Sequence, residues 1–532
     1  MPLINSLQRS PSAWWVLALA LITGPVLAVL VIVLLGRGSL AWTAITILGL
    51  ASLIPALIMR EPSRYWLALF LLTSMFDFKK TLIDGLAVMD ALNLVAITPS
   101  SQLVPEIRLS DLVFAIMLLQ WVVRLAQHRA TLRMPRISFL LLALIIWSSL
   151  SSVFAMHPYL GFVEVSNQLR YFVVFLYAVN NIQGDRALVL VGCLLLAMLT
   201  VQSSMTGARY VLGFGPIPGG RAGTVDTTEH LNVARDGGGK RAYGTVLSPR
   251  GTAAHLLLLL PWPVLTFLFC RRRWLRIVLA GVFMIGTVAL IMTYSRSALL
   301  GYLVGGAIGL ALALRWGILS RKVGVLVVLG SLVFAVVAAP VTKSYFDKRP
   351  DNINVRLAQY KTAGIIFLDN LVLGVGPNNS AATQRRYATG VSSGTAVADA
   401  TKKADIHPIH SQHLANLVEL GIVGFALYMG FFACVLLAAA RLTRSDRELE
   451  RILGGGYLIS TSALFVQSAS DPIFEHSVFV LLWFLSGIVV LARESAVAAA
   501  QATTPHQALR APTRPWWMSR ARTLSVDNDR AQ

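Results

Sequence analysis

Between His407 and Gly424 the chain reads His-Pro-Ile-His-Ser-Gln-His-Leu-Ala-Asn-Leu-Val-Glu-Leu-Gly-Ile-Val-Gly, which sets His407, His410 and His413 three residues apart. Imidazole is the side chain best suited to take up and release protons near neutral pH. These histidines lie where a long polar connection runs into an apolar segment, with a carboxylate, Glu419, and two glycines, Gly421 and Gly424, just beyond. Three arginines occupy comparable places: Arg241 in Lys-Arg-Ala-Tyr-Gly-Thr, Arg296 in Tyr-Ser-Arg-Ser-Ala-Leu-Leu-Gly, and Arg356 in Arg-Leu-Ala-Gln-Tyr-Lys-Thr-Ala-Gly. A guanidinium is permanently charged and presents a planar fork of donors that matches phosphate oxygens. Arginines beside a neutral imidazole at a membrane entrance suit an anionic, lipid-linked substrate. The arginines would hold a phosphate or pyrophosphate leaving group, and the imidazole would take the proton of an attacking hydroxyl.

Each residue also has a plainer reading. Arg296 at a helix start can snorkel to the interface or meet lipid headgroups. Arg241 and Arg356 can be solvated loop charges, and His407 and His413 polar packing residues. A His-x-x-His-x-x-His zinc site is conceivable, since residues three apart lie near one another on a helix. Pro408 and the lack of a nearby cysteine weigh against it, and neither a metal nor another cofactor is expected. Lys240 after Gly237, Gly238 and Gly239 does not complete a phosphate loop. Asp111, with Ser110, suits a helix cap. Glu419 can orient an arginine or the imidazole, or anchor neighbouring helices. Gly421 and Gly424 suit close helix packing.

The elements that must position these groups are membrane helices. The chain is 56% hydrophobic and only 13% charged, with a mean hydropathy of +0.67, far from the roughly 25% charged residues of soluble domains. About fourteen apolar runs have the length or spacing of spans. They fall near 14–35, 39–58, 64–76, 110–126, 138–155, 169–181, 187–205, 251–270, 274–293, 297–314, 322–342, 415–440, 452–468 and 474–492. No ten-residue alternation of a membrane β-barrel recurs. The expectation is an all-α polytopic membrane protein of about 12–14 transmembrane helices, with a large outer loop carrying short helices.

The net charge of +21 needs no nucleic acid to explain it, because the arginines crowd short loops. Arg124, Arg129, Arg133 and Arg136 fill one, and Arg271, Arg272, Arg273 and Arg276 another. Arg315, Arg321 and Lys322 mark a third, and Arg441, Arg444, Arg447 and Arg451 a fourth. An even number of spans separates each from the next, so all four share one side, the cytoplasm by the positive-inside rule. Both termini then lie inside, with the first run read as a retained anchor. The long connections 77–109, 206–250 and 343–414 lie outside. Cys193, Cys270 and Cys434 fall within or at the ends of apolar runs and suggest no disulfide framework.

With that order in place, His410, Leu414, Glu419, Gly421 and Gly424 resemble the His-Asn-x-x-Leu-(x)4-Glu-x-Gly-x-x-Gly signature of the O-antigen ligase superfamily, with Ser411 in place of the usual Asn. Arg356 with Tyr360 and then Gly374-Val-Gly-Pro377, the Tyr294-Ser-Arg-Ser-Ala298 helix start, and Arg241-Ala-Tyr-Gly244 are similar to further family segments. The superfamily contains lipopolysaccharide O-antigen ligases, polysaccharide polymerases and bacterial O-oligosaccharyltransferases. The resemblance implies an inner-membrane enzyme with its active site at the periplasmic face, using neither metal nor nucleotide. It implies undecaprenyl-pyrophosphate-linked glycan as donor, and an acceptor hydroxyl on glycan, lipid A core or protein. It makes His410 the candidate base and Arg241, Arg356 and Arg296 candidate pyrophosphate ligands, with Glu419 and His413 in support. The expected organisation is N-terminal transmembrane helices over 1–158, a ligase-like core over 159–492, and a disordered cytoplasmic tail over 493–532 that touches membrane lipids. A transporter or flippase that binds the same lipid-linked glycan without transfer chemistry is the alternative.

Overall fold

The computed structural model describes residues 62–76, 79–81, 104–212, 241–246, 248–326, 329, 351–390, 409–473 and 475–502. The expected runs 14–35 and 39–58, most of 322–342, His407, and 503–532 of the expected tail lie outside the described residues.

In chain order the helices are α1 (Pro62–Ser74), α2 (Leu109–Ala126), α3 (Ser138–Val153), α4 (Pro158–Asn181), α5 (Asp185–Leu212), α6 (Pro249–Leu259), α7 (Pro261–Phe269) and α8 (Arg273–Met292). They continue with α9 (Arg296–Arg315), α10 (Asp351–Asp369), α11 (Ser380–Gly390), α12 (Gln412–Leu442), α13 (Glu448–Ser468) and α14 (His476–Ala502). Two three-residue strands, β1 (Lys79–Thr81) and β2 (Glu106–Arg108), pair antiparallel with Lys79 opposite Arg108. Among the described residues, seven segments are long and apolar enough to cross a membrane: α2, α5, α6 with α7, α8, α9, α12 and α14. The chain is an all-α polytopic membrane protein.

Each apolar run that lies within the described residues became helix, with local reasons for its limits. Pro261 lacks the N–H of an uninterrupted ladder and divides α6 from α7 within one span. The run expected at 169–181 is the second half of the longer α4, which starts with Pro158 at its first turn. The last helix continues to Ala502, ten residues past the expected span end, because Ala-Val-Ala-Ala-Ala-Gln-Ala is made of strong helix formers. Asp111 does cap α2, from the third helical position, by accepting the Arg108 N–H at 2.9 Å.

The bundle centres on α12, α13 and α14. Phe431, Phe432 and Trp483 stack where α12 meets α14, and Phe175 from α4 closes on Phe431. α9 lies along α13; a side chain at Gly301 would come within 2.3 Å of the Ala463 carbonyl, so only glycine admits this approach. On the outside, Ile277, Met284, Ile285 and Val288 of α8 and Leu300 and Leu303 of α9 are exposed. Such apolar faces belong to a lipid-facing surface.

Candidate active site

α10 and α11 fold within the long connection 343–414, and α10 is the element that gathers the site. Arg356, Gln359 and Tyr360 follow one another at i, i+3 and i+4, so they share one face. The Gln359 side-chain oxygen meets Nδ1 of His410 at 2.9 Å, and the Tyr360 hydroxyl donates to the His410 carbonyl at 2.8 Å. One turn back, Arg356 donates to the Ser470 carbonyl at 3.2 Å and to Asp471 Oδ1 at 3.4 Å. A carboxamide oxygen only accepts, so this contact favours the tautomer with the proton on Nδ1. Burial raises the Tyr360 hydroxyl above its ordinary pKa, against the pull of Arg356, and keeps it a donor.

His410 sits just before α12. Ser411 is the N-cap, its hydroxyl accepting the Leu414 N–H at 3.2 Å, which explains why serine serves here. The helix does not then run straight into the membrane. Gly421 takes φ +64°, and the ladder breaks. Freed groups on either side find partners in the Leu371–Gly376 loop. Val375 N–H donates to Val418 O at 3.0 Å, Gly376 N–H to Glu419 O at 3.0 Å, and Ile422 N–H to Leu371 O at 2.8 Å. Trp147 Nε1–H from α3 donates to Leu420 O at 2.9 Å. Gly374, at φ +71°, completes this contact; a side chain there would fall 2.3 Å from Glu419 O, and one at Gly421 would fall 2.1 Å from Val372 O. The expected close packing at Gly421 is therefore a backbone-on-backbone joint inside α12. Gly424 does serve packing, against Trp147.

The basic groups meet around Asp471, in the turn after α13. Asp471 faces Arg356 at 3.4 Å and Arg250 at 3.9 Å, and the Ser297 hydroxyl of α9 donates to its other oxygen. Arg296 is the first residue of α9, beside that serine. Arg241 donates from Nε to the Thr293 carbonyl at the end of α8, at 3.1 Å. The structure thus joins Arg356 directly to the His410 assembly, and sets Arg296 next in sequence to the Asp471 contact, with Arg241 at the neighbouring helix end.

The two supporting residues face elsewhere. His413 Nε2 meets the Phe465 carbonyl at 3.0 Å and its ring packs on Phe465, so it ties α12 to α13. Glu419 accepts the Ser380 hydroxyl at 2.6 Å and the Ser380 N–H at 3.4 Å. It stabilises the positive N-terminal end of α11, the anchoring alternative. Among the described residues no three His, Cys, Asp or Glu side chains form a metal-type group. A cavity of about 100 Å³ opens beside Ile409 and Gln412, lined in part by Arg108, Glu164, Asn167, Tyr171, Asn416 and Glu419.

Gln359, Arg250 and Asp471 are the groups that sequence reasoning missed. Gln359 was legible as the i+3 neighbour of Arg356 on one helical face. Arg250 carried a weaker signal: it lies in the first turn of α6, after the Ser248 cap, where a cation opposes the helix dipole. Asp471 carried none, since its partners come from 115 and 174 residues away.

Residues 279–429 match the O-antigen ligase family. The matched stretch contains the Tyr294–Ala298, Arg356, Gly374–Pro377 and His410–Gly424 segments, and leaves Arg241, Arg250 and Asp471 outside. No curated protein matches the chain. This match supports the O-antigen ligase and polymerase superfamily and, in general terms, glycan transfer in a membrane.

Proposed function

We propose that this protein moves a glycan from undecaprenyl pyrophosphate to an acceptor hydroxyl at the periplasmic face of the bacterial inner membrane. Nε2 of His410 takes the proton of the acceptor hydroxyl as its oxygen bonds to the anomeric carbon. The bond from that carbon to the pyrophosphate oxygen breaks on the opposite face, and undecaprenyl pyrophosphate leaves with the electron pair. Attack opposite the leaving group inverts the anomeric centre.

The observation that carries this reading is the single face of α10. It holds the tautomer of the base through Gln359 and, one turn away, a guanidinium for the leaving group at Arg356. Arg296, Arg241 and Arg250 supply further positive charge for the pyrophosphate. Asp471 balances part of that charge at long range, 3.4 and 3.9 Å, so an incoming dianion competes with it at small cost. The cavity beyond Gln412 suits the acceptor: its carboxylates and amides can bond saccharide hydroxyls, and Tyr171 gives an apolar sugar face somewhere to rest.

The test is the glycan profile of cells lacking this chain, rescued by wild type or by His410→Ala, with the purified proteins assayed on lipid-linked glycan. Loss of a positioned base should lower transfer by roughly 10²–10⁴-fold while the variant stays in the membrane. Missing long polymer with single repeats remaining identifies a polymerase. Intact polymer left on its carrier identifies a ligase or oligosaccharyltransferase. Full transfer by His410→Ala removes the mechanism, and movement of labelled lipid-linked glycan across liposomes without transfer would favour the flippase alternative.

A further inference from the structure

Arg209 lies in the last turn of α5 and is only 6% exposed. An arginine at the end of a span ordinarily extends its stem to place the guanidinium in water. This one does not. Its guanidinium lies 4.6 Å from the centre of the Tyr243 ring. Among the described residues no carboxylate pairs with it, and its Nη1 is buried with no hydrogen-bond partner. Among the described residues the other buried arginine, Arg108, has Glu106 at 2.7 Å, and the half-buried Arg241 has the Thr293 carbonyl.

The surroundings hold Arg209 in place without neutralising it. Gln202, Thr206 and Arg209 fall at i, i+4 and i+7 on one stripe of α5, and the Arg241–Thr245 segment lies along that stripe. Thr245 N–H donates to Gln202 at 3.2 Å. At Gly244 a side chain would come within 2.6 Å of Gln202 and 2.8 Å of Thr206. Tyr243 is thereby pinned over Arg209, two residues from Arg241. An aromatic face steadies a cation but leaves its in-plane N–H donors unused. Burying an unpaired charge opposes folding, so a site that keeps one is poised for an anion supplied from outside.

We propose that Arg209, backed by Tyr243, is a subsite for a phosphate-type anion, contributed by a helix outside the recognised family motifs and adjoining Arg241. Naming the donor pyrophosphate as that anion rests on the transfer reading above; the anion subsite itself does not.

The experiment uses the full-length protein in lipid nanodiscs, titrated with farnesyl pyrophosphate and with inorganic pyrophosphate, with retained phosphatidylglycerol measured by native mass spectrometry. Arg209→Met keeps the length and packing of the side chain and removes the charge. Ligand-free Arg209→Met should unfold at the same or a higher temperature than wild type, and its affinity for farnesyl pyrophosphate should fall roughly tenfold or more. Arg209→Lys should lie between. If both pyrophosphates weaken together, the donor headgroup is the anion. Weakened retention of phosphatidylglycerol alone would keep the anion subsite and overturn its assignment to the donor. Wild-type affinity for all three probes, with a lower unfolding temperature, would make Arg209 a packing residue and overturn the proposal. Should Arg209→Met fail to accumulate, Tyr243→Leu decides: the charge stays without its backing, and affinity should drop severalfold. Arg447→Ala, at the other end of α13, should bind every probe as wild type does, and binding is read without transfer, so loss of anion binding and loss of transfer are separate outcomes.

Discussion

The two ends of α13 carry the same chemistry in opposite balance. Before its first residue, one guanidinium, Arg447, sits between two carboxylates, Asp185 at 2.6 Å and Glu450 at 2.9 Å. After its last, one carboxylate, Asp471, stands between two guanidiniums at 3.4 and 3.9 Å. The first arrangement is the more fully paired: against partial desolvation, which lowers it, Asp185 and Glu450 raise the Arg447 pKa. The second is held by longer contacts. Arg209 has no carboxylate partner among the described residues. Arginine count alone does not mark a binding site; the supply of acids around the arginines does.

That contrast predicts how substitutions should sort. Arg356→Ala should have the largest effect, lowering transfer by roughly 10²–10³-fold in a steady-state assay, as expected when a donor to a developing anion is lost. A loss no greater than that of Arg447→Ala would erase the distinction between the two ends. Gln359→Leu should follow, with roughly tenfold or more lost from kcat and little change in donor affinity, because the wrong tautomer reaches the acceptor. Restoration by Gln359→Glu but not by Gln359→Met would separate a hydrogen-bond role from packing. Asp471→Asn should act in the opposite direction. With the competing carboxylate gone, farnesyl pyrophosphate should bind about fivefold more tightly in a titration, the scale of one partly exposed ion pair. Arg447→Ala should have the smallest effect. Its side chain is 58% exposed, so transfer should stay within about twofold, and thermal unfolding should report about 1 kcal/mol or less.

The joint at Gly421 shows where local reading ends. The spacing of His410, Glu419, Gly421 and Gly424 is written in the chain, and a helix over this run follows from its apolar period. That Gly421 turns the backbone, and that the Leu371–Gly376 loop then takes up the freed carbonyls, depends on a segment some fifty residues earlier. Glu419 is similar: a carboxylate at that place was legible, but its partner Ser380 lies 39 residues away on a helix that must first fold.

The sequence by itself determined the membrane class, the apolar segments that became helices within the described residues, and the order of the His and Arg motifs. These follow from periodicity and composition, which act within one or two helical turns. Tertiary structure decided which of those motifs meet. It paired His410 Nδ1 with Gln359, 51 residues distant, set Asp471 between Arg250 and Arg356, turned His413 to a carbonyl, and left Arg209 buried without a counter-charge among the described residues. A hydrogen bond or ion pair forms only between atoms a few ångströms apart. Across such separations in the chain, only the packing of helices brings the partners within that reach.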